Sequence, residues 1–116
     1  MLKDDAVYVG HMLDMARQAR ELVASRTRAD YDSDIALRLA LAHLLQSIGE
    51  AARHVSTQLQ KAQPGIPWRN IVGIRHKVVH DYFYVDYDII WDVVTSDLPE
   101  LKQKLAAILA DLAPGS

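Results

Sequence analysis

A long helical pattern runs through residues 37–59, LRLALAHLLQSIGEAARHVSTQL. Its apolar residues recur at steps of three or four positions, which places them on one face of an α-helix: Leu37, Leu41, Leu44, Ile48, Ala51, Val55 and Leu59. Gly49 lies inside this pattern, and a glycine there costs about 1 kcal/mol relative to alanine. Close packing of two helix backbones is the usual reason to tolerate it. The pattern predicts one long helix ending near Gln60 or Lys61, with Gly49 as a packing residue.

The segment before this helix also has helical spacing. Residues 3–24 place an apolar stripe on one face and predict a first helix, with Arg20 filling one position of the stripe. Residues 25–32 are polar and predict a loop. Asp32 or Ser33 then suits the N-cap of the long helix, because short polar side chains can accept a hydrogen bond from the first turn.

Two prolines and a glycine within residues 62–67 end the long helix and precede three more helical segments. The first is predicted over residues 68–79, with Pro67 in its first turn. The second begins near Asp86, and the last covers residues 98–112, with Pro99 breaking or restarting the helix between them. The sequence therefore predicts an all-α fold, an antiparallel bundle of four to five helices, as a single domain over residues 1–116.

Composition excludes several classes of protein. The 116 residues include no cysteine, which excludes a disulfide scaffold, thiol catalysis and a Cys-ligated zinc site. No apolar run is long enough to cross a membrane, and two acids near the N-terminus are unlike a signal peptide, so a cytoplasmic protein is expected. The net charge is −2, so any contact with nucleic acid must use a local basic patch.

Such a patch occurs in residues 75–84, RHKVVHDYFY. Cleavage of an RNA phosphodiester needs a group that takes the proton of the 2′-hydroxyl, a group that stabilises charge on the phosphorane, and a group that protonates the leaving oxygen. A histidine suits either proton transfer, and an arginine suits charge stabilisation. Arg75 and His80 are thus candidate catalytic residues. The substrate supplies the nucleophile, so this chemistry requires no metal.

Helix geometry complicates this pairing. On one regular helix, Arg75 and His80 would point about 140° apart and lie about 7.5 Å apart along the axis. Either the helix ends near Val79 and frees His80, or two subunits share one groove lined by Arg75, His76, Lys77 and His80 from each chain. On spacing alone the pair is weak, since Arg-x4-His occurs by chance in many helical proteins.

The wider segment, residues 66–82, IPWRNIVGIRHKVVHDY, resembles the signature of the HepT-like branch of the HEPN superfamily. Members typically show Pro-Trp, then Arg followed by a polar residue, then His-x-Tyr. This chain has Pro67-Trp68, Arg75-His76 and His80-Asp81-Tyr82 at those places. The Ile-Gly-Glu-Ala at residues 48–51 and residues downstream also fit. The resemblance covers nearly the whole chain.

The resemblance implies a homodimeric, metal-independent endoribonuclease without a cofactor, the toxin of a HepT/MntA-type (type VII) toxin–antitoxin system. It implies that Arg75 and His80 are the catalytic pair, in a groove at the dimer interface. It also implies that a minimal nucleotidyltransferase antitoxin attaches AMP to Tyr82. A bulky anionic group there would block the groove and repel an RNA phosphate. Transfer RNA and messenger RNA both remain open as substrates, with a slight preference for transfer RNA.

Three further residues are candidates for supporting roles. His76 stands where many relatives have asparagine; it could hold Arg75, contact RNA or share in proton transfer. Lys77 adds charge to the basic patch. Glu50 either reaches across the bundle to orient Arg75 or is a solvated charge.

Two other functions stay open. The chain could be a non-catalytic HEPN module that binds a nucleotide or docks a nucleotidyltransferase, which its acidic pI of about 6.2 favours. It could instead be a purely structural dimerisation bundle. The concentration of titratable groups in residues 75–84 argues against that last alternative.

Overall fold

A computed structural model describes residues 3–79 and 84–112 and confirms the all-α class. The elements in chain order are α1 (Lys3–Val23), α2 (Arg28–Asp32), α3 (Ile35–Arg53), α4 (Thr57–Ala62), α5 (Trp68–Val72), α6 (Ile74–Val78), α7 (Tyr87–Asp92), a π-helical turn (Val93–Asp97) and α8 (Leu98–Leu112). Within these residues, extended pairing is limited to one antiparallel bridge between Val79 and Val85.

Three long helical units form the body of the bundle: α1, α3, and the continuous run from α7 through α8. Near the end of α1, Arg20 donates a hydrogen bond to the carbonyl of Val94, early in the last unit (3.2 Å). Near the start of α1, Asp5 contacts Ser56, just beyond the end of α3. Helix α1 is therefore antiparallel to both neighbours. Their buried faces include Val9, Leu13, Ala16, Leu41, Leu45, Ile48, Ile90, Val94, Leu105 and Ile108.

The long helix predicted to reach residue 60 ends at Arg53 instead. Ser56 is the reason, because its hydroxyl accepts a hydrogen bond from the Leu59 amide (3.1 Å) and caps a separate helix, α4. The buried carboxylate of Asp5 holds this cap in place by accepting from the Ser56 amide (2.8 Å) and hydroxyl (2.7 Å). Val55 and Leu59 stay buried, so the apolar pattern continues across a break in the helix.

The loop prediction for residues 25–32 is also wrong, because a capping box forms the short helix α2. The Thr27 hydroxyl accepts from the Asp30 amide (3.1 Å), and the Asp30 carboxylate accepts from the Thr27 amide (2.8 Å). Because α2 extends to residue 32, the N-cap of α3 is Asp34 rather than Asp32 or Ser33. Helix α2 buries the ring of Tyr31, whose hydroxyl donates to the Tyr87 carbonyl (2.7 Å).

The helix predicted over residues 68–79 is divided at Gly73 into α5 and α6. Pro67 occupies the N-cap position of α5 instead of its first turn. The Trp68 indole is buried and donates to the Gln63 carbonyl (3.0 Å), which fixes the start of α5. Two short helices, each of five residues, therefore carry residues 68–78, the candidate segment, across α3.

Pro99 does not break the last helical unit. The predicted start after Asp86 and the predicted range 98–112 are confirmed, but the π-helical turn joins the two helices. Proline lacks an amide proton, and its ring clashes with the carbonyl four residues earlier in a regular helix. The wider turn before Pro99, closed by the Leu98 amide on the Val93 carbonyl, relieves this clash.

The residues that the structure describes include neither a membrane-spanning helix nor a metal-binding cluster. None of the described helices is both long and apolar enough to cross a membrane. No group of three or more His, Asp or Glu side chains within residues 3–79 and 84–112 is arranged to hold a metal ion.

Candidate active site

Gly49 lets the candidate segment approach α3 closely. A Cβ atom at this position would lie 2.8 Å from the Ile71 carbonyl oxygen and 2.9 Å from a methyl carbon of Ile74. Both distances are far below ordinary van der Waals contact, so any side chain would force the helices apart. The prediction that Gly49 is a packing residue is confirmed. Its effect is to place α6 directly beside the polar face of α3.

An open depression lies between these two helices. Its α3 wall consists of His43, Gln46, Ser47, Gly49 and Glu50, and the other wall consists of Val72, Ile74, Arg75 and His76. Three of the predicted site residues, Arg75, His76 and Glu50, therefore line the same depression. His43, Gln46 and Ser47 add further hydrogen-bond donors and acceptors, so the depression suits a polar or charged ligand.

The exposed side of α6 is cationic. Arg75, His76 and Lys77 are consecutive and exposed, and their side chains make no hydrogen bond or ion pair with any residue that the structure describes. Successive residues of a helix are about 100° apart. His76 therefore lies at the centre of the exposed side, with Arg75 and Lys77 on its two flanks. The fixed charges of Arg75 and Lys77, which have no partner among the described residues, are available to bind an anion.

Glu50 pairs within its own helix. Its carboxylate accepts from the Arg53 guanidinium (2.6 Å) and lies 3.4 Å from His54 Nε2. The hydrogen bond from Arg53 lowers the pKa of Glu50. Among the described residues these are the ion pairs of Glu50, and neither involves Arg75. Of the two alternatives for Glu50, the structure favours an exposed surface charge over a contact that orients Arg75. Arg53 and His54 lie three and four positions further along α3, the spacing at which helical side chains meet.

Lys77 faces a different part of the surface from Arg75. It lines a second cavity of about 290 Å³, enclosed by α3, α5, α6, the π-helical turn and α8. The expectation of one basic patch is therefore modified, because the two cations border two separate concave surfaces. They are about 200° apart around α6.

His80 and Tyr82, the other predicted site residues, lie outside the described residues. Helix α6 ends at Val78, and Val79 is extended, which agrees with the expectation that the helix ends near Val79. Val79 forms a bridge with Val85, and the Asp86 amide donates to the Val78 carbonyl (2.6 Å). The described residues on the two sides of 80–83 are thus held together at the end of α6.

Sequence reasoning missed three residues of the α3 wall, since it did not single out His43, Gln46 or Ser47. Their spacing contained a signal, since His43, Gln46 or Ser47, and Glu50 follow one another at three- and four-residue steps. They form the polar face beside Gly49, where the sequence already indicated close packing.

Comparison with known proteins matches the sequence to a family. The model of the family described as ribonuclease HepT-like matches residues 12–108, which include the whole candidate segment. A protein of Caldanaerobacter subterraneus subsp. tengcongensis, named as a candidate RNase, is 32% identical over 108 residues, 93% of this chain and 96% of that protein.

Two further relatives are similar over most of their length. A protein of Thermococcus cleftensis, named probable ribonuclease HepT, is 34% identical over 79% of this chain and 87% of its own. A candidate RNase of Methanocaldococcus jannaschii is 29% identical over 84% of this chain and 92% of its own. No solved structure matches the chain significantly. With most of its length matched by the family model, the chain belongs to the ribonuclease HepT-like family.

Proposed function

We propose that this chain is an endoribonuclease whose site is centred on Arg75. The observation that carries the proposal is the exposed Arg75 guanidinium, which has no partner among the described residues and lies at the edge of a polar depression. A charge in that position is available to a phosphate. Membership of the ribonuclease HepT-like family, and relatives named as RNases, support RNA as the source of that phosphate.

The proposed reaction uses the substrate's own nucleophile. The 2′-oxygen attacks the adjacent phosphorus, the bond from phosphorus to the 5′-oxygen breaks, and a cyclic phosphate and a free 5′-hydroxyl result. One proton leaves the 2′-hydroxyl and one reaches the departing 5′-oxygen, so the charges balance without a metal. Arg75 stabilises the negative charge on the phosphorane. His80 serves one of the two proton transfers, for which an imidazole is suited near neutral pH.

We also propose that two chains share the site. Ile35 and Leu39 are about half exposed, at 53% and 55%. Both lie on α3 at helical spacing from His43, so an exposed apolar surface leads directly to the depression. A second copy covering this surface would bring two sets of Arg75 and His76 to one groove. That would concentrate positive charge locally in a protein whose net charge is negative.

The proposed cellular role is that of a toxin controlled by a minimal nucleotidyltransferase antitoxin, which attaches AMP to Tyr82. The two cations of α6, Arg75 and Lys77, support this form of control. An AMP group on a residue near the end of α6 carries a phosphate that they would attract. The modified site would then hold its own anion and exclude an RNA phosphate.

Cleavage of RNA by the purified, unmodified protein in the presence of a metal chelator tests the activity. Arg75→Ala should lower the rate by at least about a hundredfold, the usual effect of losing one group that stabilises a developing charge. Arg69→Ala, which removes an exposed arginine of α5, is the matched control and should cleave normally. Equal cleavage by both variants would reject Arg75 as the site. An inactive wild-type protein would favour the non-catalytic HEPN module.

Intact mass tests the antitoxin chemistry separately. The protein is expressed with and without a nucleotidyltransferase encoded beside it. We expect a gain of one or more AMP groups that Tyr82→Phe abolishes and Tyr84→Phe does not. An unmodified protein in the presence of a transferase that consumes ATP would contradict control by AMP transfer.

A further inference from the structure

The second cavity, which Lys77 borders, is a small concave site with aliphatic walls. Its volume is about 290 Å³, at the small end of the range for ligand pockets. The apolar lining comes from α3, α5, α6 and the last helical unit, chiefly Leu45, Ile48, Ile71, Ile74, Leu98 and Leu101. Walls supplied by separate helices can contact both faces of a flat ligand.

The rim of this cavity carries polar side chains of two kinds. Lys104 is already engaged, since it pairs with Glu100 (3.2 Å) and donates to the Gly65 carbonyl (2.8 Å). Asn70, Lys77 and Asp97 are exposed, and their side chains make no hydrogen bond or ion pair with the described residues. The rim therefore offers an amide, a cation and a carboxylate to a ligand in the cavity.

Helix α6 connects this cavity to the candidate active site. Ile74 lines both the cavity and the depression, so the two concave surfaces are neighbours at the five-residue helix α6. Arg75 borders the depression, Lys77 borders the cavity, and His76 lies exposed between them. The two cations differ by about 3 Å along the helix axis but point about 160° apart around it. A chain of linked anions can thus cross α6 with a cation on each side.

We propose that the cavity binds a nucleobase of the RNA strand, next to the phosphate that Arg75 holds; this inference rests on the proposed ribonuclease function. The base lies between the aliphatic side chains, and its edge meets Asn70 and Asp97. Lys77 contacts a phosphate on the cavity side of α6. Direct contact with an unstacked base is the common way in which proteins select a site in single-stranded RNA. The cavity therefore makes cleavage depend on the identity of one base.

The mixture of aliphatic walls and a polar rim favours a nucleobase over other ligands. A base has two apolar faces and an edge with both donors and acceptors, which matches aliphatic walls with an amide and a carboxylate at the rim. An extended acyl chain would leave Asn70, Lys77 and Asp97 without partners. A phosphate alone would leave the aliphatic walls empty.

Methyl NMR tests the proposal without requiring catalysis. Isotope-labelled protein is titrated with adenosine or guanosine 5′-monophosphate, and ribose 5-phosphate is the control without a base. We expect ring-current shifts of the Ile71 and Leu101 methyl groups with the nucleotides, whereas the sugar phosphate should affect only groups near α6. Equal responses to the nucleotides and to ribose 5-phosphate would overturn the inference, since only the phosphate would be recognised.

A cavity-filling variant adds the functional readout. Leu101→Trp fills the cavity, and Leu109→Trp makes the same change at another half-buried leucine of α8 outside it. Only Leu101→Trp should abolish the methyl shifts and reduce the preference between RNAs that differ in the neighbouring base by about tenfold, the scale of one lost base contact.

The two proposals fail in different ways. RNA cleavage by the wild-type protein with no nucleotide-dependent shift at Ile71 or Leu101 would overturn the base-binding cavity and leave the ribonuclease function intact. Methyl shifts in a protein that cleaves no RNA would support the cavity and reject the proposed ribonuclease.

Discussion

Replacing Gly49 by alanine should displace Arg75 while leaving the protein folded. The added Cβ would lie 2.8 Å from the Ile71 carbonyl oxygen, whereas ordinary contact begins at 3.4 Å. Helices α5 and α6 must therefore move by about 0.6 Å away from α3. A backbone oxygen cannot move aside by rotation of a side chain. The helices themselves must therefore shift, and α6 carries Arg75 with it.

The expected change in stability is small because two effects oppose each other. Overpacking costs about 1–3 kcal/mol, while the better helix propensity of alanine returns about 1 kcal/mol. The free energy of unfolding should therefore fall by about 0–2 kcal/mol. Catalysis should suffer more, since a misplacement of about 1 Å can reduce a rate a hundredfold. We expect kcat/KM for RNA cleavage to fall by at least about tenfold.

Urea denaturation and single-turnover cleavage measure the two quantities on the same preparations. Gly10→Ala is the matched control, since Gly10 is also inside a helix and has no atom within 4 Å of the added Cβ. It should stabilise the protein by about 0.5–1 kcal/mol and cleave normally. If Gly49→Ala matched Gly10→Ala in both measurements, the close approach of α3 to α5 and α6 would have no role in positioning Arg75.

Three further predictions concern the bundle itself. Asp5→Ala should lower the free energy of unfolding by about 3 kcal/mol in urea denaturation, because it removes two charge-assisted hydrogen bonds to Ser56 in a buried site; the exposed Asp4→Ala is the control, and equal effects would contradict a specific role for Asp5. Burial raises the pKa of Tyr31 from 10.0 to about 12, so the folded state disfavours the phenolate, and stability should decline as the pH rises from 10 to 12. Denaturation of Tyr31→Phe across that range should show a shallower decline, and an unchanged slope would refute the assignment. The hydrogen bonds with Thr27, first that from its backbone amide, lower the pKa of Asp30 below 3.8, so its contribution is present above that pH and is lost on further acidification. Thermal melting of Asp30→Asn should accordingly depend less on pH in the acidic range than melting of the wild-type protein, and identical pH profiles would argue against the capping box.

The long helices could be predicted from sequence because their energetics follow a repeating pattern. Burial of one face over several turns outweighs individual propensities, so the stripes located α1, α3 and α8, although α3 ends at Arg53, before its predicted end. The errors occurred where one side chain competes for backbone hydrogen bonds. Ser56 ends a helix whose apolar pattern continues, and Thr27 with Asp30 starts one inside a polar stretch.

The candidate site was predictable in composition and less so in geometry. The segment around Arg75 and His76 was identified from its residue types, and the neighbouring glycine on α3 indicated that a helix would pack there. The ion pair of Glu50 with Arg53 depends on competition between a nearby and a distant arginine, which spacing alone does not decide. The separation of Lys77 from Arg75 was implicit in the helix predicted over residues 68–79, whereas the second cavity that Lys77 borders depends on how α6 packs against the other helices.

The arrangement of buried and exposed residues explains why the whole segment is more informative than the Arg-x4-His pair. Helices of five residues are too short to be stable alone, so α5 and α6 depend on tertiary contacts. Trp68 anchors the start, while Ile74 and Val78 bury the face of α6 against the bundle. With that face fixed, Arg75 is necessarily exposed beside α3. The position of the proposed catalytic arginine is therefore set by the tryptophan, the aliphatic residues and Gly49 together, and a chance pair on an ordinary helix would lack all of them.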